Sequence, residues 1–114
     1  MERRQRFDRF AAAAERPWQF VFGEAEAARA MARPDPATAL CAAFCVKEAF
    51  LKAIGTSYDY TACVLHWDPG REEQSILVDP AVAAEHRIAG TRAIVRAGSD
   101  GTMTAVVYVF GEEG

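Results

Sequence analysis

The chain has little of what would take it out of the ordinary globular class. No run approaches about 18 consecutive apolar residues, so no membrane-spanning helix is expected. MERRQRFDRF is followed by alanines and then acids, not by an apolar stretch with a cleavage site, so no secretory leader is expected either. Basic residues are outnumbered: 13 lysines and arginines face 16 aspartates and glutamates, for a net charge of −3. Nucleic acid, which needs a cationic surface, is therefore not the expected partner. Cys41, Cys45 and Cys63 are too few and odd in number for a disulfide framework, and reduced, buried thiols in a cytoplasmic protein are expected. His66 and His86 are two distant histidines that do not complete a zinc site around those thiols. No defensible Ser-His-Asp or Cys-His order is present. The Gly98–Gly101 segment has no lysine after it and is not a phosphate loop.

What is there reads as one α+β domain over residues 1–114, with 51% hydrophobic and 25% charged residues. The stretch DPATALCAAFCVKEAFLKAIG, residues 35–55, organises the rest. Asp35 is an N-cap, Pro36 sits in the first turn where a missing N–H costs nothing, and Gly55 supplies the left-handed stop. Leu40, Phe44, Leu51 and Ile54 recur at helical spacing, with Lys47 interrupting, so a central helix over about 35–54 turns one side to a core.

Before it, residues 3–16 carry five arginines with Phe7 and Phe10 three apart, a basic helix with one apolar stripe. Trp18 to Phe22 form an apolar plug ahead of Gly23, and Glu24 to Ala32 read as a second helix, stopped by Pro34. After Gly55 the period changes to two. Tyr58 to Trp67 read as a strand, Arg71 to Gln74 as a polar loop, and Ser75 to Val78 as a second strand. Ala81 to Ile88 read as a short helix capped by Asp79 and ended by Gly90. Thr91–Ala97 and Thr102–Phe110 are the clearest pair of strands, joined by a hairpin loop over 98–101. The expected architecture is helices laid on a small antiparallel sheet.

The chemistry lies in the central helix. Glu48 and Lys52 are four apart and stand one turn above the other, with Lys47 nearer the apolar line. By spacing alone this is a solvated ion pair or a metal carboxylate with an acid–base lysine.

The literal residues say more. Phe44-Cys45-Val46-Lys47-Glu48-Ala49-Phe50-Leu51-Lys52-Ala53-Ile54-Gly55-Thr56 resembles the phosphopantetheinyl transferase signature in its short, holo-acyl-carrier-protein synthase branch, F-x-x-K-E-A-x-x-K-A-x-G-T-G, departing only at Ser57. ARPDPATALCAA resembles the approach to that helix, and RFDRF the early RF-containing helix. The resemblance implies a fold of helices on an antiparallel sheet, and transfer of the 4′-phosphopantetheine arm of coenzyme A to a serine of an acyl carrier protein. It implies magnesium, a role in fatty acid or polyketide biosynthesis, and a homo-oligomer, a trimer by preference, with sites between subunits. Carried over by motif, Glu48 would hold Mg2+, Lys52 would contact the phosphates or assist proton transfer, and Lys47 would neutralise phosphate charge. The arginines near the start would meet an acidic carrier protein.

Three departures accompany this. The family's first strand, G-[IV]-D-[IL]-[VI]-E, whose aspartate is the second metal carboxylate, has no counterpart before the RF helix. The arginine of R-F-x-x-K-E is Ala43. The late S-x-[ST]-H motif is replaced by Val95-Arg96-Ala97-Gly98-Ser99. Asp8 is a poor replacement for that second carboxylate, since it lies in the arginine-rich helix between Phe7 and Arg9, and Asp59 and Asp100 would approach only if their loops fold back. The alternative is thus a catalytically impaired relative that binds carrier protein or coenzyme A, or scaffolds a synthase; a structural module is the third reading.

Overall fold

The computed structural model describes residues 2–5, 7, 19–55 and 60–112. Most of the expected N-terminal helix lies outside these residues. Phe7 is among them, buried, with its ring 5.6 Å from that of Phe44.

Helix α1, Gln19–Met31, is interrupted at Gly23, whose φ of 71° and ψ of 165° no helix contains. The glycine thus separates a first turn from the helix proper, as its place after the apolar plug suggested. Helix α2, Pro36–Ile54, is the expected central helix. The Asp35 carboxylate accepts from the Thr38 amide at 3.2 Å and from its hydroxyl at 2.6 Å. Gly55, with φ of 77°, donates back to the last carbonyls. The burial is wider than one stripe: Leu40, Cys41, Ala42, Val46, Lys47 and Phe50 are each fully enclosed. Most of this helix is interior, and its last turn, with Lys52 and Ala53, stays exposed.

Five strands make one antiparallel sheet in the order β1-β5-β4-β3-β2: β1 is Glu2–Arg3, β2 Cys63–His66, β3 Glu73–Val78, β4 Ile88–Ala97 and β5 Thr102–Gly111. The hairpin β4–β5 runs in register from Thr91 opposite Val109 to Ala97 opposite Met103. Ala93, Val95, Met103, Ala105 and Val107 turn one face of the sheet to α2, and that layer is the core. The α+β architecture expected from the chain is the one observed.

Four local readings need correction. The first strand after α2 begins at Cys63 and not near Tyr58, because Tyr60–Ala62 is a 3₁₀ turn. Tyr60 stacks on Phe44 with centroids 5.7 Å apart, and the Ala62 carbonyl accepts from Asp79 N, which carries the β2–β3 register one pair back to the end of that turn. Gln74 belongs to β3 and is buried: its amide donates to the Asp68 and Arg71 carbonyls and its oxygen accepts from Asp68 N. The short helix α3 is Pro80–Glu85, capped by Asp79 as expected, but it ends at His86 and not near Gly90. Arg87 then takes a left-handed φ of 52°, which turns the chain straight into β4. Finally, two residues ahead of the RF segment do form a strand: β1 pairs Glu2 with Met103 and Arg3 with Thr102. It carries no aspartate.

Candidate functional site

The motif helix sends its polar residues to different places. Lys47 has no exposed surface. Its ammonium lies 2.7 Å from Glu26 Oε1 and donates to the Cys63 carbonyl. Glu26 is also buried, and its other oxygen accepts from Leu65 N at 2.7 Å. One ion pair thus joins α1, α2 and the start of β2. Burial raises the Glu26 carboxyl above its ordinary value and outweighs the attraction of Lys47 and the Leu65 amide, which act the other way. Burial likewise pushes the neighbouring Cys63 thiol up to about 12, so it stays a thiol. All three cysteines are free and buried, as expected.

Glu48 is half-buried and Lys52 is exposed in the last turn of α2. The structure therefore keeps these two on accessible helix and takes Lys47 inside, where its ammonium has no opening toward a phosphate. Asp100, a candidate second carboxylate, is committed to its own turn: it accepts from the Thr102 amide at 3.1 Å and hydroxyl at 2.6 Å, and those bonds hold its pKa down. Asp8 and Asp59 lie outside the described residues. Among the described residues, no three His, Cys, Asp or Glu side chains converge on a point where they could hold a metal ion. Glu48 offers a magnesium ion one carboxylate on the motif helix, and such sites take one or two together with waters and substrate phosphates.

A cavity of about 430 Å³ opens on another face, between α1, the first half of α2 and the β2–β3 connection. Ala39 and Ala43 leave the room for it, Glu26 sits in its floor, and Arg29, Arg33 and Arg71 stand around it with Trp67. Arg33 donates to the Trp67 carbonyl at 2.6 Å, which ties the end of α1 to the β2–β3 connection. Neither Glu48 nor Lys52 lines it. Sequence reasoning did not single out these arginines. The only signal was the nearness in sequence of Arg29, in the last turn of α1, to Arg33 just past its end, and nothing local brings Arg71 to them.

The late segment that replaces the family's histidine motif is structural here. Val95 is core, Arg96 is exposed with Glu72 at 3.6 Å, and Gly98 begins the hairpin turn. His66 is exposed, and His86 closes α3.

A search of the curated proteins finds no match to this chain. Residues 1–94 match the family model described as the 4′-phosphopantetheinyl transferase superfamily, over most of the length and across the whole motif helix. With the central helix, its K-E-x-x-x-K residues and the antiparallel sheet in place, the chain belongs to the 4′-phosphopantetheinyl transferase superfamily.

Proposed function

We propose that this chain is a binding member of its superfamily, one that holds coenzyme A or an acidic acyl carrier protein as a scaffold and does not transfer phosphopantetheine unaided. The observation that carries the reading is the fate of Lys47, whose charge is used inside the core by Glu26 and a backbone carbonyl. That leaves Glu48 as a single carboxylate and Lys52 as a single exposed cation on the motif helix. Lys52 would meet a phosphate of coenzyme A. Glu48 stands where the motif has its magnesium carboxylate, and the described residues form no group of three or more metal-ligating side chains. Full transfer of the phosphopantetheine arm is the reaction of the family; for this chain it would need a second carboxylate beside Glu48 that the motif helix itself does not carry.

Two surfaces support the binding role. Arg29, Arg33 and Arg71 around the cavity offer charge to phosphates or to an acidic carrier surface. Leu77, Val106, Tyr108 and Phe110 are exposed together on the outer side of the sheet, a surface suited to self-association, with a trimer as the family's preference. Three free buried thiols agree with a cytoplasmic setting.

Calorimetric titration with coenzyme A in magnesium buffer tests this. A charge-assisted contact is worth roughly 1.5–3 kcal/mol, so Lys52→Ala should weaken binding about tenfold or more. No binding by the unmodified chain, or binding indifferent to Lys52→Ala, would contradict the reading.

A further inference from the structure

Three sulfurs lie in the layer between α2 and β5, and the binding role uses none of them. Cys41 and Cys45 are four residues apart on α2, so they stand one turn above the other, and Met103 comes from β5 into the same core cluster. All three are enclosed, with Cys41 0%, Cys45 4% and Met103 2% exposed. Both thiols are free. Cys45 Sγ donates to the Met103 carbonyl at 3.7 Å, and Cys41 and Cys45 hydrogen-bond to each other.

A single buried cysteine is ordinarily a small apolar filler. A pair on one helix face differs, because its geometry favours one kind of bridge. A disulfide needs Cβ atoms ~3.5–4.5 Å apart, and four residues of helix set them ~5–6 Å apart. The regular helix thus keeps the two sulfurs from closing on each other. One metal ion between them adds two bonds, each of the ~2.3 Å that zinc makes to thiolate, and takes up that difference.

The donor set selects the ion. Magnesium and calcium take oxygen, and structural zinc takes four ligands. Among the described residues no third His, Cys, Asp or Glu joins the two thiols. What the layer supplies is sulfur, as two thiols and the Met103 thioether, and such ligands favour copper(I). The charge suits the place as well. The bond from Cys41 lowers the Cys45 pKa against the opposing effect of burial, and it raises that of Cys41, so the pair gives up one proton far more readily than the second. A pair that has lost one proton carries a single negative charge and shares the proton that is left. Copper(I) has that proton's charge, so a copper dithiolate buries no more charge than the pair already favours.

We infer that Cys41 and Cys45 form a copper(I) site, with Met103 beside it as the third sulfur. Binding makes two copper–sulfur bonds and releases the two thiol protons, and the copper stays univalent throughout. The ion enters through local opening of the fold.

Anaerobic titration of the full chain with copper(I) held by the chelator bicinchoninate tests this. One copper per chain should leave the chelator, and X-ray absorption at the copper edge should show sulfur neighbours only. Loss of an outer partner of a metal ligand already costs roughly 10–100-fold in affinity, so Cys41→Ala or Cys45→Ala should each weaken binding at least about 100-fold. Cys63→Ala, which removes the remaining thiol from a separate core cluster, should leave the affinity unchanged. Copper should also raise the thermal unfolding temperature of the unmodified chain. Copper that stays with the chelator, nitrogen or oxygen among its neighbours, or equal affinity after Cys41→Ala would overturn the proposal. So would an unfolding temperature that copper lowers, since the thiols would then be taking it up in the unfolded chain.

Discussion

A lysine with no exposed surface must have its charge answered inside the protein, and Lys47 is answered by Glu26 at 2.7 Å. Removing one member of such a pair leaves the other buried and unpaired, at a cost of about 3–5 kcal/mol. Lys47→Met should therefore lower the urea-unfolding stability by roughly that amount. Adding Glu26→Gln, which keeps an oxygen for Leu65 N, should restore most of it, because the pair itself is worth little net of its desolvation. Equal, additive losses for the two substitutions would show that the residues are not coupled.

The raised carboxyl of Glu26 also fixes a sign. Unfolded, this group titrates near 4.5; folded, burial moves it higher. Between those two values the folded state holds a proton that the unfolded state has released. Its contribution is thus complete below the unfolded value and is lost as pH rises through the folded one. Unfolding measured at steps from about pH 4 to 7 should show the unmodified chain losing stability relative to Glu26→Gln as pH rises. A difference that is flat, or grows the other way, would refute this.

At the scale of elements, α2 depends on its ends as well as on its packing. Asp35 accepts from both the amide and the hydroxyl of Thr38. Asp35→Ala should cost about 0.5–2 kcal/mol in thermal or urea unfolding, whereas Asp35→Asn should keep most of the cap. Equal loss in both would place the effect in charge, with Arg4 at 3.7 Å the nearest candidate.

Both of these ends were legible in the sequence, since Asp-Pro and Ile-Gly are local signals with local causes. The β4–β5 hairpin was legible for the same reason. The late start of β2 was not, because alternation continues through Tyr60 while the ring of Tyr60 is held by Phe44 of another element. Nor was the end of α3, where a left-handed arginine, and not the later glycine, turns the chain. The sequence period cannot report a contact made across the fold.

At the scale of the whole molecule, the family could be read from one helix, and the use of its residues could not. The apolar line ran past Lys47, which hinted at burial, but the partner that decides its role lies on the preceding helix. The three arginines at the cavity come from α1, its C-terminal end and the β2–β3 connection, so only the tertiary fold assembles them. On the proposed function, the motif helix has kept its form while its described residues supply a binding surface and not a complete transfer site. The most direct measurement is mass spectrometry of an apo acyl carrier protein incubated with coenzyme A, magnesium and this chain alone. The carrier protein should keep its mass while coenzyme A binding is still detected. Stoichiometric gain of the phosphopantetheine mass, produced by the unmodified chain and lost in Glu48→Gln, would contradict it.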